Sequence, residues 1–228
     1  MPMKASGPTT LREIDRFDDG VGWIAHPDET MQRASHALVG EDGLWVIDPV
    51  DAEGLDEMLS EFGSVAGVAV CLDRHKRDAA AIARRHGVAV YVPSWMDGVA
   101  TELNAPVERF EDELGDSGYE AFPIRDSKVP PWQEVGLWNP EHATLVVPES
   151  VGTSAYFLAD GERLGVHPML RLFPPRESLS GYRPARVLVG HGEGVLDDAT
   201  IALRDALSDS RSKAPSLYVK SIQELLTG

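Results

Sequence analysis

Cysteine is nearly absent from this chain of 228 residues: the single thiol, Cys71, lies inside an apolar run. One cysteine excludes an intrachain disulfide framework and any cysteine-rich zinc module. Its apolar setting makes it a buried core thiol rather than a reactive one. Long hydrophobic runs are missing as well. No segment approaches the ~18 uninterrupted apolar residues of a membrane span, and the leading MPMKASGPTT lacks the apolar core of a secretory signal. The expectation is a cytoplasmic protein with no membrane partner. Lysine is scarce, with Lys4, Lys76, Lys128, Lys213 and Lys220 the only ones. Asp and Glu total 37 against 21 Lys and Arg, a formal charge of −16. Such a surface repels phosphate backbones, so no nucleic acid partner is expected. An acidic, lysine-poor composition suits a halophilic source, where salt screens the self-repulsion; an ordinary acidic protein from a GC-rich genome reads the same way.

Several catalytic signatures are missing too. Ser154 in VGTSAYF lacks the Gly-x-Ser-x-Gly elbow, no Gly-x-x-x-x-Gly-Lys is present, and GHGEG has the wrong rhythm for a dinucleotide site.

What is present is an alternation of apolar runs and amphipathic segments. ASHALVGEDGLWVIDPV reads as two strands joined at Glu41-Asp42-Gly43, the second stopped by Asp48-Pro49. In DAEGLDEMLSEFG, Leu55, Met58, Leu59 and Phe62 recur at spacings of three and four, a helix ending at Gly63. VAGVAVCL is a strand apolar on both faces, DAAAIARRHG a helix stopped by Gly87, and VAVYVP a further strand. Later, YEAFPI, ATLVVP and SAYFLAD read as strands, SKVPPWQEVGLWNPEH as a proline-rich turn, and ARVLVGHGEGV as a strand running into a glycine-rich loop. DDATIALRDALSDSR and SLYVKSIQELL read as two closing helices, with Asp197 and Asp198 capping the first. With no long linker and no short-period repeat, residues 1–228 are expected to form one domain.

Between VAVCL and AAAI stand six polar residues, Asp73, Arg74, His75, Lys76, Arg77 and Asp78. The order of elements, the polar loop after a buried strand and the late VLVGHGEGV together resemble the metallo-β-lactamase fold superfamily. The resemblance implies an α/β fold, a four-layer αββα sandwich. It also implies that residues 73–78 stand where the superfamily carries His-x-His-x-Asp-His, the ligands of two zinc ions. Only His75 matches. Asp73 replaces the first histidine, Arg77 the aspartate and Asp78 the last histidine. Asp126 or Lys128 stands where a further histidine would lie, Glu149 substitutes for a bridging aspartate, and His191 is retained. The candidate cleft is therefore Asp73, His75, Arg77, Asp78, Asp126, Glu149 and His191.

A permanently cationic Arg77 opposes a dication, and its planar fork suits Asp73, Asp78 or Glu149 as a partner. No metal or other cofactor is expected; the alternative is one zinc or iron ion on His75, Asp78, Glu149 and His191. Of the other histidines, His26, His86 and His142 read as surface groups, and His36 and His167 as packing residues. The function expected is a binding or structural protein, with a homodimer and an unidentified small-molecule ligand as its partners. The alternative is a single-metal hydrolase of ester or thioester bonds.

Overall fold

The computed structural model describes residues 2–7 and 10–227, with side chains described as far as Val219. The chain opens with β1 (Arg12–Phe17) and β2 (Gly20–Ile24), an antiparallel pair that the sequence pattern does not announce. Only Ile14 of β1 is buried, so this edge strand reads as almost wholly polar. The expected hairpin follows as β3 (Ala34–Gly40) and β4 (Gly43–Ile47), with Gly40 opposite Gly43. Next come α1 (Leu55–Ser60), β5 (Val65–Ala69), α2 (Ala79–His86), β6 (Val90–Pro93), α3 (Asp97–Glu102) and β7 (Val107–Phe110). Gly87 closes α2 in the left-handed conformation, as its position after the last helical turn suggests. The seven strands lie in sequence order; β1 to β4 run antiparallel, and β4 to β7 run parallel through helical crossovers.

A second sheet is built from β8 (Glu120–Lys128), β9 (Pro131–Asn139) and β10 (Thr144–Val147). A small ribbon of β11 (Val151–Gly152) and β12 (Gly165–Val166) follows, then the short α4 (Arg176–Leu179). β13 (Arg186–Val189) joins the second sheet parallel to β10, and α5 (Ala199–Thr227) ends the described chain. The period-2 alternation decides the layers. Val146 and Leu188 point into the core shared with the first sheet and with α1 and α2, while Leu145, Val147, Val187 and Val189 face the stripe Ala199, Ala202, Leu203, Ala206 and Leu207 of α5. The result is α/β with helices outside two facing sheets, the αββα order expected. Among the described residues no helix is long and apolar enough to cross a membrane.

Three expectations are corrected. SKVPPWQEVGLWNPEH is not a turn but mostly strand: Lys128 pairs with Pro131, so the prolines occupy a tight hairpin and the first strand position, where a missing N–H costs no ladder bond. SAYFLAD is a loop, in which Phe157 is buried and its N–H bonds the Ser154 carbonyl. The two closing helices are one, because the buried face continues from Leu207 through Ser210 and Ala214 to Leu217 across Pro215. The side chains from residue 220 onward lie outside the described residues.

Trp45 anchors the first sheet. It is 1% exposed, meets Tyr91 edge-on at 4.7 Å, donates Nε1–H to Asp42, and packs beneath Gly115, whose φ of 49° and close approach leave no room for a Cβ. Trp45→Ala should therefore lower unfolding stability by about 3–5 kcal/mol, as read from urea denaturation.

Candidate functional site

The site gathers where parallel strands end at their carboxyl termini, a place where a doubly layered α/β fold leaves side chains free to converge. Four loops contribute. Asp48 follows β4, residues 73–78 link β5 to α2, Glu149 follows β10, and His191 follows β13. The loops are stitched by backbone bonds. Ala34 N–H bonds the Gly190 carbonyl and Gly192 N–H that of Gln32, joining the two sheets, while Asp73 N–H bonds the Gln133 carbonyl of β9.

Arg77 lies at the centre. Its φ of 38° is unusual for a side-chain-bearing residue and turns the chain so that the guanidinium points inward. Nη1 donates to the carbonyls of Ala34 (2.6 Å) and Asp48 (2.7 Å), and Nη2 to that of Gly190 (3.2 Å). Nη2 also lies 3.2 Å from His75 Nε2. Nε is enclosed without a partner. Burial pushes the Arg77 pKa down to about 10, against the attraction of Asp48, so the group keeps its charge at neutral pH. Asp126, Asp73 and Asp78 do not face it.

Around the guanidinium sit buried His75, His191, Asp48 and Glu149. Asp48, itself at φ 46°, accepts Cys71 N–H on Oδ1 (2.8 Å) and His75 Nδ1–H on Oδ2 (2.9 Å). His75 Nε2 is left facing Arg77 Nη2, with Glu149 Oε2 3.2 Å away. His191 Nδ1 donates to the Met31 carbonyl at 2.9 Å, and its Nε2 meets Glu149 Oε2 at 2.8 Å. With both His191 nitrogens facing acceptors, the His191–Glu149 pair must hold one proton between them. Burial pushes the Glu149 carboxyl up, but His191 and His75 outweigh it and hold the pKa below the usual carboxylate range. Burial lowers the His191 pKa against the pull of Glu149.

Glu149 is itself held by Glu134, a fully buried carboxylate on β9. Glu134 Oε1 accepts the backbone N–H of both Glu149 and Ser150 at 2.8 Å, and Oε2 accepts Trp132 Nε1–H (2.8 Å) and the Ser150 hydroxyl (2.5 Å). Burial raises its pKa and these four donors pull it back.

Of the residues expected in the cleft, the fold brings together His75, Arg77, Glu149 and His191. Asp78 instead accepts Asp51 N–H (2.9 Å) at the start of α2. Asp73 accepts Gln133 N–H (3.0 Å) and lies 3.6 Å from Arg74. Asp126 is exposed and bonds Gln133 Nε2. The guanidinium thus takes backbone carbonyls and a histidine where Asp73, Asp78 or Glu149 was expected as its direct partner. Three site residues went unnoticed in the sequence. Asp48 was read as a strand stop, Glu134 lay within the presumed turn, and His167 was read as packing. His167 is buried with Nε2 3.5 Å from Glu149 Oε1, and burial takes its pKa down to about 4. His36, also read as packing, is a buried partner of Asp15 at 3.3 Å, outside the site.

No protein-family model matches the sequence, and no curated protein matches it. Solved structures do match in shape. The DIM-1 metallo-β-lactamase superimposes at a TM-score of 0.60 with 15% identity, over 90% of this chain and 97% of that one. A metallo-β-lactamase from Pontibacter korlensis gives 0.59 with 14% identity, over 89% and 99%. A fragment of diflavin flavoprotein A 5 from Nostoc sp. PCC 7120 gives 0.60 with 13% identity, over 95% and 100%. The chain has the fold of the metallo-β-lactamase superfamily.

That fold raises the question of metal. His75, Glu149 and His191 offer three donor atoms within 4.8 Å of one another, which is a ligand set for one ion. A pair of ions does not fit: Asp73 and Asp78 are bonded elsewhere, and a guanidinium points to the remaining position. A dication about 4 Å from Arg77 would meet a repulsion of about 8 kcal/mol at the effective dielectric of a protein interior.

Replacing Glu134 by Gln leaves one acceptor oxygen for four donors and turns an NH2 group towards two of them. Glu134→Gln should cost about 2–3 kcal/mol, measured by urea denaturation, with far-UV circular dichroism unchanged.

Proposed function

We propose that this chain is a metal-independent member of its fold, a binding protein in which a buried arginine cluster takes over from a hydrolytic metal centre. The observation that carries the reading is the placement of Arg77. Its guanidinium is held by three backbone carbonyls and touches the one histidine retained from the family motif. A permanent cation in that place neutralises Asp48, donates towards His75 and leaves Glu149 paired with His191. Hydrolysis in this fold relies on a metal-bound water, whose pKa the ion lowers towards 7. No activated hydroxyl in the cluster replaces that nucleophile: Ser154, whose N–H bonds the His191 carbonyl, is buried with no base bonded to its hydroxyl. What remains is a cleft beside the cluster, suited to holding a small molecule.

The second reading, a single-metal hydrolase of ester or thioester bonds, is favoured by the convergence of His75, Glu149 and His191. Bound metal would have to displace the proton of the His191–Glu149 pair and tolerate Arg77. Elemental analysis of protein purified without chelators separates the two. The expected result is no stoichiometric zinc or iron in the wild-type chain, and uptake of zinc by Arg77→Asp, which restores the family's aspartate. Two ions per wild-type chain would overturn the proposal, and one ion accompanied by esterase or thioesterase turnover would establish the second reading.

A further inference from the structure

Beside the arginine cluster opens a cavity of about 510 Å³ whose walls include Lys4, Arg74, Trp132, Tyr156, Glu149 and His167, completed by methionine and proline side chains. A volume of this size accommodates a small organic ligand. Its polar groups are not scattered. The two cations, Lys4 and Arg74, are exposed and lie at the mouth, whereas the carboxylate of Glu149 is buried and forms the floor. The aromatic groups lie between. Arg74 stacks 4.4 Å above the Trp132 ring, the Trp132 ring meets that of His167 at 4.9 Å, and Tyr156 meets His167 edge-on at 5.7 Å.

The floor has an acceptor with capacity to spare. Glu149 Oε2 lies 2.8 Å from His191 Nε2 and 3.2 Å from His75 Nε2, whereas among the described residues Oε1 has only the long 3.5 Å contact with His167 Nε2. His167 Nδ1 accepts Met169 N–H at 3.2 Å, so its proton is on Nε2 and points towards Glu149. With one long contact on Oε1, Glu149, which lines the cavity, has acceptor capacity left for a ligand. At the mouth Arg74 is only loosely compensated, by Asp73 at 3.6 Å. In a chain of formal charge −16, two cations together at the rim of a cleft form a local exception to the acidic surface.

We infer that the cleft binds an aromatic monocarboxylate with a hydrogen-bond donor at the far end of its ring. The carboxylate meets Arg74 and Lys4 at the mouth. The ring packs among Trp132, Tyr156 and the methionine side chains, which favour aromatic faces and edges. The donor reaches Glu149 Oε1 at the floor. One ring with a short arm matches the distance between the two ends, since a single indole separates Arg74 from His167. The inference rests on the metal-independent reading, because an ion held by Glu149 and the two histidines would draw the carboxylate's charge away from the ligand's donor.

The test is calorimetric titration at low ionic strength with three probes: 4-hydroxyphenylacetate, its neutral amide, and 4-methoxyphenylacetate, which lacks the donor. The hydroxy acid should bind saturably, and each of the other two about tenfold more weakly, about 1.4 kcal/mol. In the double variant Lys4→Gln, Arg74→Gln the acid should lose its preference over the amide while keeping its preference over the methoxy compound; circular dichroism checks that the variant is folded. The inference is overturned if the hydroxy acid shows no binding below a Kd of about 1 mM, or if the amide binds as tightly as the acid. Metal content measured on the same sample keeps the two readings apart. Metal-free protein that ignores all three probes sinks this inference alone, whereas stoichiometric metal sinks the reading beneath it.

Discussion

A buried positive charge must be answered by something, and around Arg77 the answer is mostly backbone. Three carbonyl dipoles, from Ala34, Asp48 and Gly190, converge on one guanidinium. Each comes from a different part of the chain: the start of β3, the end of β4 and the end of β13. The guanidinium therefore ties both sheets to the loop that carries it. Removing it would take a donor from each of three inward-facing carbonyls and the nearby countercharge from the buried Asp48 carboxylate, the costly side of the asymmetry between making and breaking a buried polar contact. The site is a keystone of the fold's open end as much as a functional feature.

The carboxylates divide the rest of the work. Asp48 orients His75 and carries the countercharge, and Glu149 joins the two histidines. Glu134 grips the backbone that presents Glu149. Each level restrains the one above it, so the geometry facing the cleft is set by groups that never reach it. Such layered restraint is also how a metal site is held, with outer partners orienting the ligands. The same layering surrounds the Arg77 guanidinium here. Beside it lies a cleft lined by Lys4, Arg74 and Glu149.

The legibility of these features in the sequence differs for physical reasons. The parallel half of the first sheet was readable because VAGVAVCL and VAVYVP are buried on both faces and are punctuated by Gly63, Gly87 and Pro93. β1 was not, since an edge strand with one buried residue has no apolar period to detect. β9 was masked by Pro130 and Pro131, which signal a turn wherever they stand; only the pairing of Lys128 with Pro131 reveals that the turn is two residues long. In the site, His75, Arg77, Glu149 and His191 could be placed through their positions in a recognisable order of elements. Asp48 and Glu134 could not, because a residue that acts through a neighbour leaves no spacing motif. His167 was read as packing, and only the approach of Glu149 sets it apart.

Local information accounts for the acidic, nearly cysteine-free character, the alternation of strands and helices, and the presence of a polar, cation-bearing loop after a buried strand. These depend on residue identity and short-range periodicity. Where that cation points, which carboxylates answer it, and that Asp73 and Asp78 turn away to serve backbone N–H groups are long-range outcomes. Arg77 meets Ala34 and Gly190 across 43 and 113 residues. Contacts between residues so far apart in the chain are settled only when the two sheets close on one another, since no local preference of either partner specifies them.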